Sequence, residues 1–141
     1  VEDNLDHVEL ITEALQNGGL INQIAVVHDG EEALNYIYQR GNYLTTRPPK
    51  PDFILLDIKL PRKDGFEVLM EVKRDSLLKT IPIILLTTSS SETEIKKGYK
   101  LGANSFVTKP LNFKDFTNKV KTIQTYWIRT NTLPSHLNHG E

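Results

Sequence analysis

The chain has 141 residues, carries 17 Lys+Arg against 18 Asp+Glu for a formal net charge of −1, and contains no cysteine. That length suits one domain with a real core, the missing cysteines exclude disulfides and thiolate metal sites, and the balanced charge gives no footprint for nucleic acid or an anionic membrane. No apolar run approaches the ~18 residues of a membrane span, and Glu2, Asp3 and Asp6 stand where a secretory leader would be basic and then apolar, so a soluble, cytoplasmic protein is expected.

The sequence opens on Val1, at what reads as the end of a strand, so the first strand of the fold is expected to lie largely ahead of it. Leu5, Val8, Ile11 (or Thr12) and Leu15 then form a helical stripe that Gly18 and Gly19 stop. A short β-rich run at residues 24–27 precedes a second helical stripe, Ala33, Leu34, Ile37 and Tyr38, ended by Gly41. Residues 41–51, with Pro48, Pro49 and Pro51, read as a rigid surface loop. The next apolar run, 53–56, leads to Asp64-Gly65 and a third stripe through Phe66, Leu69, Met70 and Lys73. Residues 81–86 form the longest apolar run, followed by a fourth stripe of Ile95, Tyr99 and Leu101 before Gly102. Residues 105–107 give a last short run, and Phe113, Phe116, Val120, Ile123 and Trp127 the longest amphipathic face. A polar tail follows, too short for an output domain, which divides the chain into a domain over 1–128 and a tail over 129–141. There is no internal repeat.

Strands alternating with helices imply right-handed crossovers and an open, doubly wound α/β sheet. In such sheets ligands collect beyond the carboxyl ends of the strands. Glu2 and Asp3 stand before the first helix, Asp57 closes the run at 53–56, Thr87 closes the run at 81–86, and Lys109 follows the run at 105–107. Taken singly, each has a plain explanation: a turn or capping aspartate, a solvated acidic start, a strand-end hydroxyl, a surface lysine. Together they place three acids, a hydroxyl and an amine on one rim. Crowded carboxylates repel unless a cation intervenes, and hard oxygen ligands suit Mg²⁺. A carboxylate can also act as nucleophile to give an aspartyl-phosphate, a step governed by positioning and charge neutralisation. Lys109 and a metal could supply the latter, while Thr87 could donate its hydroxyl to a phosphoryl oxygen.

Four stretches carry a resemblance: Val1-Glu2-Asp3-Asn4; Leu55-Leu56-Asp57-Ile58-Lys59-Leu60-Pro61 with Asp64-Gly65; Pro82-Ile83-Ile84-Leu85-Leu86-Thr87; and Gly102-Ala103-Asn104-Ser105-Phe106-Val107-Thr108-Lys109-Pro110. In this order they resemble the receiver domain of two-component response regulators over essentially the whole chain. The resemblance implies a flavodoxin-like fold of five parallel strands, order 2-1-3-4-5, with five helices. It implies Asp57 as phosphoacceptor and Glu2, Asp3, Asp57 and the backbone carbonyl of Lys59 as the Mg²⁺ site. Thr87 would be the switch hydroxyl, Phe106 the rotating switch aromatic and Lys109 the phosphate-pairing base, with a cis Lys109-Pro110 bond. Phe106 stands where tyrosine is often found, so no hydroxyl hydrogen bond is available there. Lys59 and Thr88 lie near the acceptor and are expected to alter the lifetime of the phosphate.

The proline loop and the ending Tyr126-Trp127-Ile128-Arg129-Thr130-Asn131-Thr132-Leu133-Pro134 are similar to the small response regulators paired with bacterial phytochromes. That likeness implies a phytochrome-type histidine kinase as donor. It also implies a homodimer through the fourth helix, fifth strand and fifth helix, which Trp127 and Leu133 would suit. On the receiver reading, phosphorylation moves Thr87 toward the phosphoryl group and lets Phe106 turn inward, biasing a two-state face. The chain would then act as a phosphoacceptor rather than an enzyme, through a downstream protein or a histidine phosphotransfer protein. Two other classes share part of this pattern. Haloacid-dehalogenase-type phosphatases use similar groups but need a second acid two residues after the nucleophile, where this sequence has Lys59. A phosphorylation-independent binding module would keep the fold without needing the reactive set. No helix-turn-helix or basic face points to DNA.

Overall fold

Of the apolar runs, three pair into a sheet. The computed structural model describes residues 1–19, 23–88 and 91–134, and among these the elements are α1 (Leu5–Asn17), α2 (Gly30–Tyr38), a 3₁₀ turn (Gly41–Tyr43), β1 (Ile54–Leu56), α3 (Gly65–Arg74), β2 (Ile83–Thr87), α4 (Glu92–Lys100), β3 (Ser105–Thr108), α5 (Phe113–Gln124) and a π-helical turn (Thr125–Thr130). The strands are parallel in the order β1-β2-β3, with Ile54 opposite Ile83, Leu56 opposite Leu85, and Thr87 opposite Thr108.

The central strand β2 is buried along its whole length, as a continuous apolar run must be when both faces of a parallel sheet are covered. Its alternate residues serve two cores. Ile83 and Leu85 join Leu56 with Leu34 and Ile37 of α2 and Val68, Leu69 and Val72 of α3. Ile84 and Leu86 face the other way, onto Ala14 and Leu15 of α1 and Phe116, Val120 and Ile123 of α5.

Each of the five α-helices starts on a residue whose short polar side chain accepts a backbone N–H of the first turn: Asn4, Asp29, Asp64, Ser91 and Asn112. Such a cap contributes about 1 kcal/mol. Asp64 and Glu67 cap α3 reciprocally. The α2 helix stops earlier than its glycine suggests, because Gln39 takes a left-handed conformation at φ 57°.

The structure corrects several expectations. Residues 24–27 form no strand, and the sheet has three strands rather than five among the described residues. Between 24–27 and β1, among the described residues, Val1 and Glu2 offer backbone partners. The Val1 N–H donates to Leu55 O (2.7 Å), Asp57 N–H to Val1 O (3.1 Å) and Glu2 N–H to Val27 O (3.0 Å). No described peptide bond is cis, so Lys109-Pro110 is trans, the form X-Pro bonds favour by about 0.5–1 kcal/mol. Phe113 is exposed, since it opens α5 next to its cap, and Tyr99 of α4 is half exposed. Trp127 is buried and Leu133 packs beside it against the α1–α5 core, so both serve this chain's own interior. Of the tail expected over 129–141, residues 135–141 lie outside the described residues.

Candidate functional site

The carboxyl ends of the strands bring the predicted residues to one rim. Asp57 directly follows β1, Thr87 ends β2, and Lys109 follows β3. The register joins the last two, because the Lys109 N–H donates to the Thr87 carbonyl at 2.7 Å. The parallel pairing of Thr87 with Thr108 therefore fixes where the lysine side chain starts.

Lys109 is the hub. It is 4% exposed, and its Nζ donates to Glu2 Oε1, to Asp57 Oδ2 (3.0 Å) and to His7 Nδ1 (3.0 Å). Burying an ammonium is costly unless it is paired and hydrogen-bonded, and here two carboxylates supply the charge. The other oxygen of Asp57 accepts the N–H of Ile58 at 2.7 Å, which fixes the plane of the carboxylate. Glu2 is also buried. Desolvation pushes its carboxyl above the ordinary range, while the hydrogen bond from Lys109 opposes that rise.

Glu2, Asp3 and Asp57 can present oxygens that all lie within 4.8 Å of one another. Three hard carboxylate donors at that spacing, one of them exposed on Asp3, fit a divalent cation that keeps part of its water shell. Thr87 is 1% exposed at the end of β2, and Phe106 is half buried on β3. The Phe106 ring lies over Gly98 of α4, where a Cβ would come within 3.2 Å of it, and its backbone N–H donates to the Tyr99 hydroxyl at 3.2 Å. Lys59 and Thr88 are both exposed beside the site.

The loop after Asp57 is held from below. The Gly65 N–H donates to Ile58 O at 2.7 Å, and a Cβ on Gly65 would fall 2.1 Å from Asp57 O. Glycine allows the start of α3 to touch the backbone of the acidic residue. Sequence reading missed His7 entirely. It sits off the apolar stripe of α1, and only its position one turn beyond Glu2 and Asp3 could have signalled a role.

Residues 1–121 match the response regulator receiver domain family. The response regulator Rcp1 of Synechocystis sp. (strain ATCC 27184 / PCC 6803 / Kazusa) is 38% identical over 135 residues, 96% of this chain and 90% of that protein. Its manganese-bound crystal structure superimposes with a TM-score of 0.90 at 38% identity, covering 96% of each chain. The phosphorylated cyanobacterial phytochrome response regulator RcpA gives a TM-score of 0.91 at 44% identity, with 96% of this chain and 95% of that one covered. The bacteriophytochrome response regulator AtBRR gives 0.73 at 40% identity, over 95% and 94% of the two chains.

Proposed function

Since the chain belongs to the response regulator receiver family, we propose that Asp57 accepts a phosphoryl group from a histidine kinase and that the charge it gains changes what the domain binds. The observation that carries this reading is the buried Lys109, which holds Asp57 and Glu2 together at the ends of three parallel strands. An Asp57 oxygen attacks phosphorus as the P–N bond of the donor phosphohistidine breaks. Lys109 orients that carboxylate and remains beside the new phosphoryl oxygens as a fixed positive charge. Glu2, Asp3, Asp57 and the Lys59 carbonyl would hold Mg²⁺, which supplies charge neutralisation when bound.

Phosphorylation adds close to two negative charges and several strong acceptors. Thr87 donates its hydroxyl to a phosphoryl oxygen, Phe106 follows by turning inward, and the face made by α4, β3 and α5 changes shape. Lys59 and Thr88 tune the lifetime of the phosphate from beside it. In a five-stranded sheet of order 2-1-3-4-5, residues 24–27 and the segment at Val1 and Glu2 would take the positions of strands two and one. The backbone bonds of Val1 and Glu2 to Leu55, Asp57 and Val27 support it. Residues 1–128 form the receiver and 129–141 its tail. A homodimer through α4, β3 and α5 would use the exposed Tyr99 of α4.

Similarity to phytochrome response regulators favours a bacterial phytochrome as the kinase. The test is phosphotransfer from an autophosphorylated phytochrome-type histidine kinase to the wild-type chain and to Asp57→Asn. Transfer to the wild type alone supports the whole reading. Uptake from acetyl phosphate without transfer from such kinases would keep the acceptor and remove the donor assignment.

A further inference from the structure

An ammonium group has three N–H donors and no acceptor. All three on Lys109 are used, and two of them go to carboxylates of the candidate site. The third goes to His7 Nδ1, 3.0 Å away. The same ring nitrogen is 3.8 Å from Glu2 Oε1, too far for a hydrogen bond. Because Lys109 can only donate, His7 Nδ1 must carry a lone pair, which puts the ring proton on Nε2.

The rest of the chain holds that nitrogen in place. Asn4 caps α1 by accepting the N–H of Asp6 (3.0 Å) and the N–H of His7 itself (3.2 Å), so the cap anchors the His7 backbone. The ring packs on Phe116 of α5, with centroids 5.3 Å apart and planes inclined by 49°. A cap on one helix and an aromatic on another thus aim a single lone pair at the lysine.

Building on the proposed function, we infer that His7 is a positioning residue for phosphoryl transfer: it accepts the third proton of Lys109 and so keeps the other two directed at Glu2 and Asp57. A neutral acceptor satisfies the ammonium without adding a third negative charge, which would draw it away from Asp57 and oppose the arriving phosphoryl group. Without it, the ammonium has an unused donor in a nearly dry site and turns or draws water to satisfy it.

The test compares wild type, His7→Leu and His7→Asn at saturating Mg²⁺, following phosphoryl uptake from acetyl phosphate by intact mass. Asparagine places a carbonyl oxygen where Nδ1 was, while leucine keeps bulk without an acceptor. His7→Leu should be slower by roughly tenfold, the scale of one hydrogen bond to a charged group, and His7→Asn should recover most of that loss. Equal rates for His7→Leu and wild type overturn the inference, as does equal slowing of both variants. A wild type that takes up no phosphoryl group overturns the proposed function and the inference with it. The second measurement needs no variant and no activity. Long-range ¹H–¹⁵N correlation of the His7 ring should find Nδ1 unprotonated and Nε2 protonated, and a protonated Nδ1 overturns the inference even if His7→Leu fails to fold.

Discussion

Replacing Gly65 by alanine separates two opposing effects by sign. In an ordinary helix the exchange stabilises, by about 1 kcal/mol from helix propensity and unfolded-chain entropy. Here the added Cβ would lie 2.1 Å from Asp57 O and 2.7 Å from Ile58 Cα, whereas ordinary contact begins near 3.4 Å. The neighbours are backbone, so no side chain can turn aside, and α3 must retreat by more than an ångström from a close-packed strand end. Overpacking of that kind costs about 3 kcal/mol, at the upper end of its usual range. Subtracting the gain leaves about 2 kcal/mol of destabilisation, a fall in Tm of roughly 6–8 °C for a domain of this size. Urea unfolding followed by far-UV circular dichroism and Trp127 fluorescence measures it. Because the retreat also shifts the Asp57 peptide and the Ile58 N–H that fixes its carboxylate, phosphoryl uptake should slow as well. An unchanged or raised unfolding midpoint would refute the argument that this close approach sets the loop.

Three further predictions concern stability. Asn104 Oδ1 accepts from the buried N–H of Ile83 (2.9 Å) and from Lys73 Nζ (3.0 Å); Asn104→Ala should cost about 1–3 kcal/mol, with Asn104→Asp milder, by chemical denaturation. Leu69, fully buried between α3 and the sheet, should cost about 2–5 kcal/mol as alanine, read from the urea midpoint at unchanged slope. The Asp75 carboxyl is held below its ordinary range, first by the Leu77 N–H and then by the Leu78 N–H and the Tyr38 hydroxyl. Its folded pKa lies below the unfolded one, so its contribution is present above the ordinary carboxylate range and is lost as pH falls through the folded pKa. The Asp75→Ala variant should therefore be weaker than wild type at neutral pH and converge with it in acid; a constant gap would contradict this.

Local chemistry made much of the fold legible. The stop of α1 at Gly18 and Gly19, the continuous apolar run of β2 and the long stripe of α5 all depend on near neighbours in sequence. Asp57, Thr87 and Lys109 were findable because each stands at or just after the end of an apolar run, and parallel register then brings them to one rim. What failed depended on partners. Residues 24–27 carry a strand's composition, but a strand exists only within a ladder, and the bond from the Glu2 N–H to Val27 O does not make one. Lys73 reads as one point on a helical stripe, yet its ammonium instead gathers Lys79 O, Ile81 O and Asn104 Oδ1. His7 was invisible for a similar reason, since its polar partner is a lysine 102 residues away.

The central claim is that Asp57 is a Mg²⁺-assisted phosphoacceptor, and intact mass after incubation with acetyl phosphate tests it most directly. Wild type should gain one phosphoryl group when Mg²⁺ is present and little when it is chelated, and Asp57→Asn should gain none in either case. A wild type that gains nothing with Mg²⁺, or an Asp57→Asn variant that gains as much as wild type, would contradict the account.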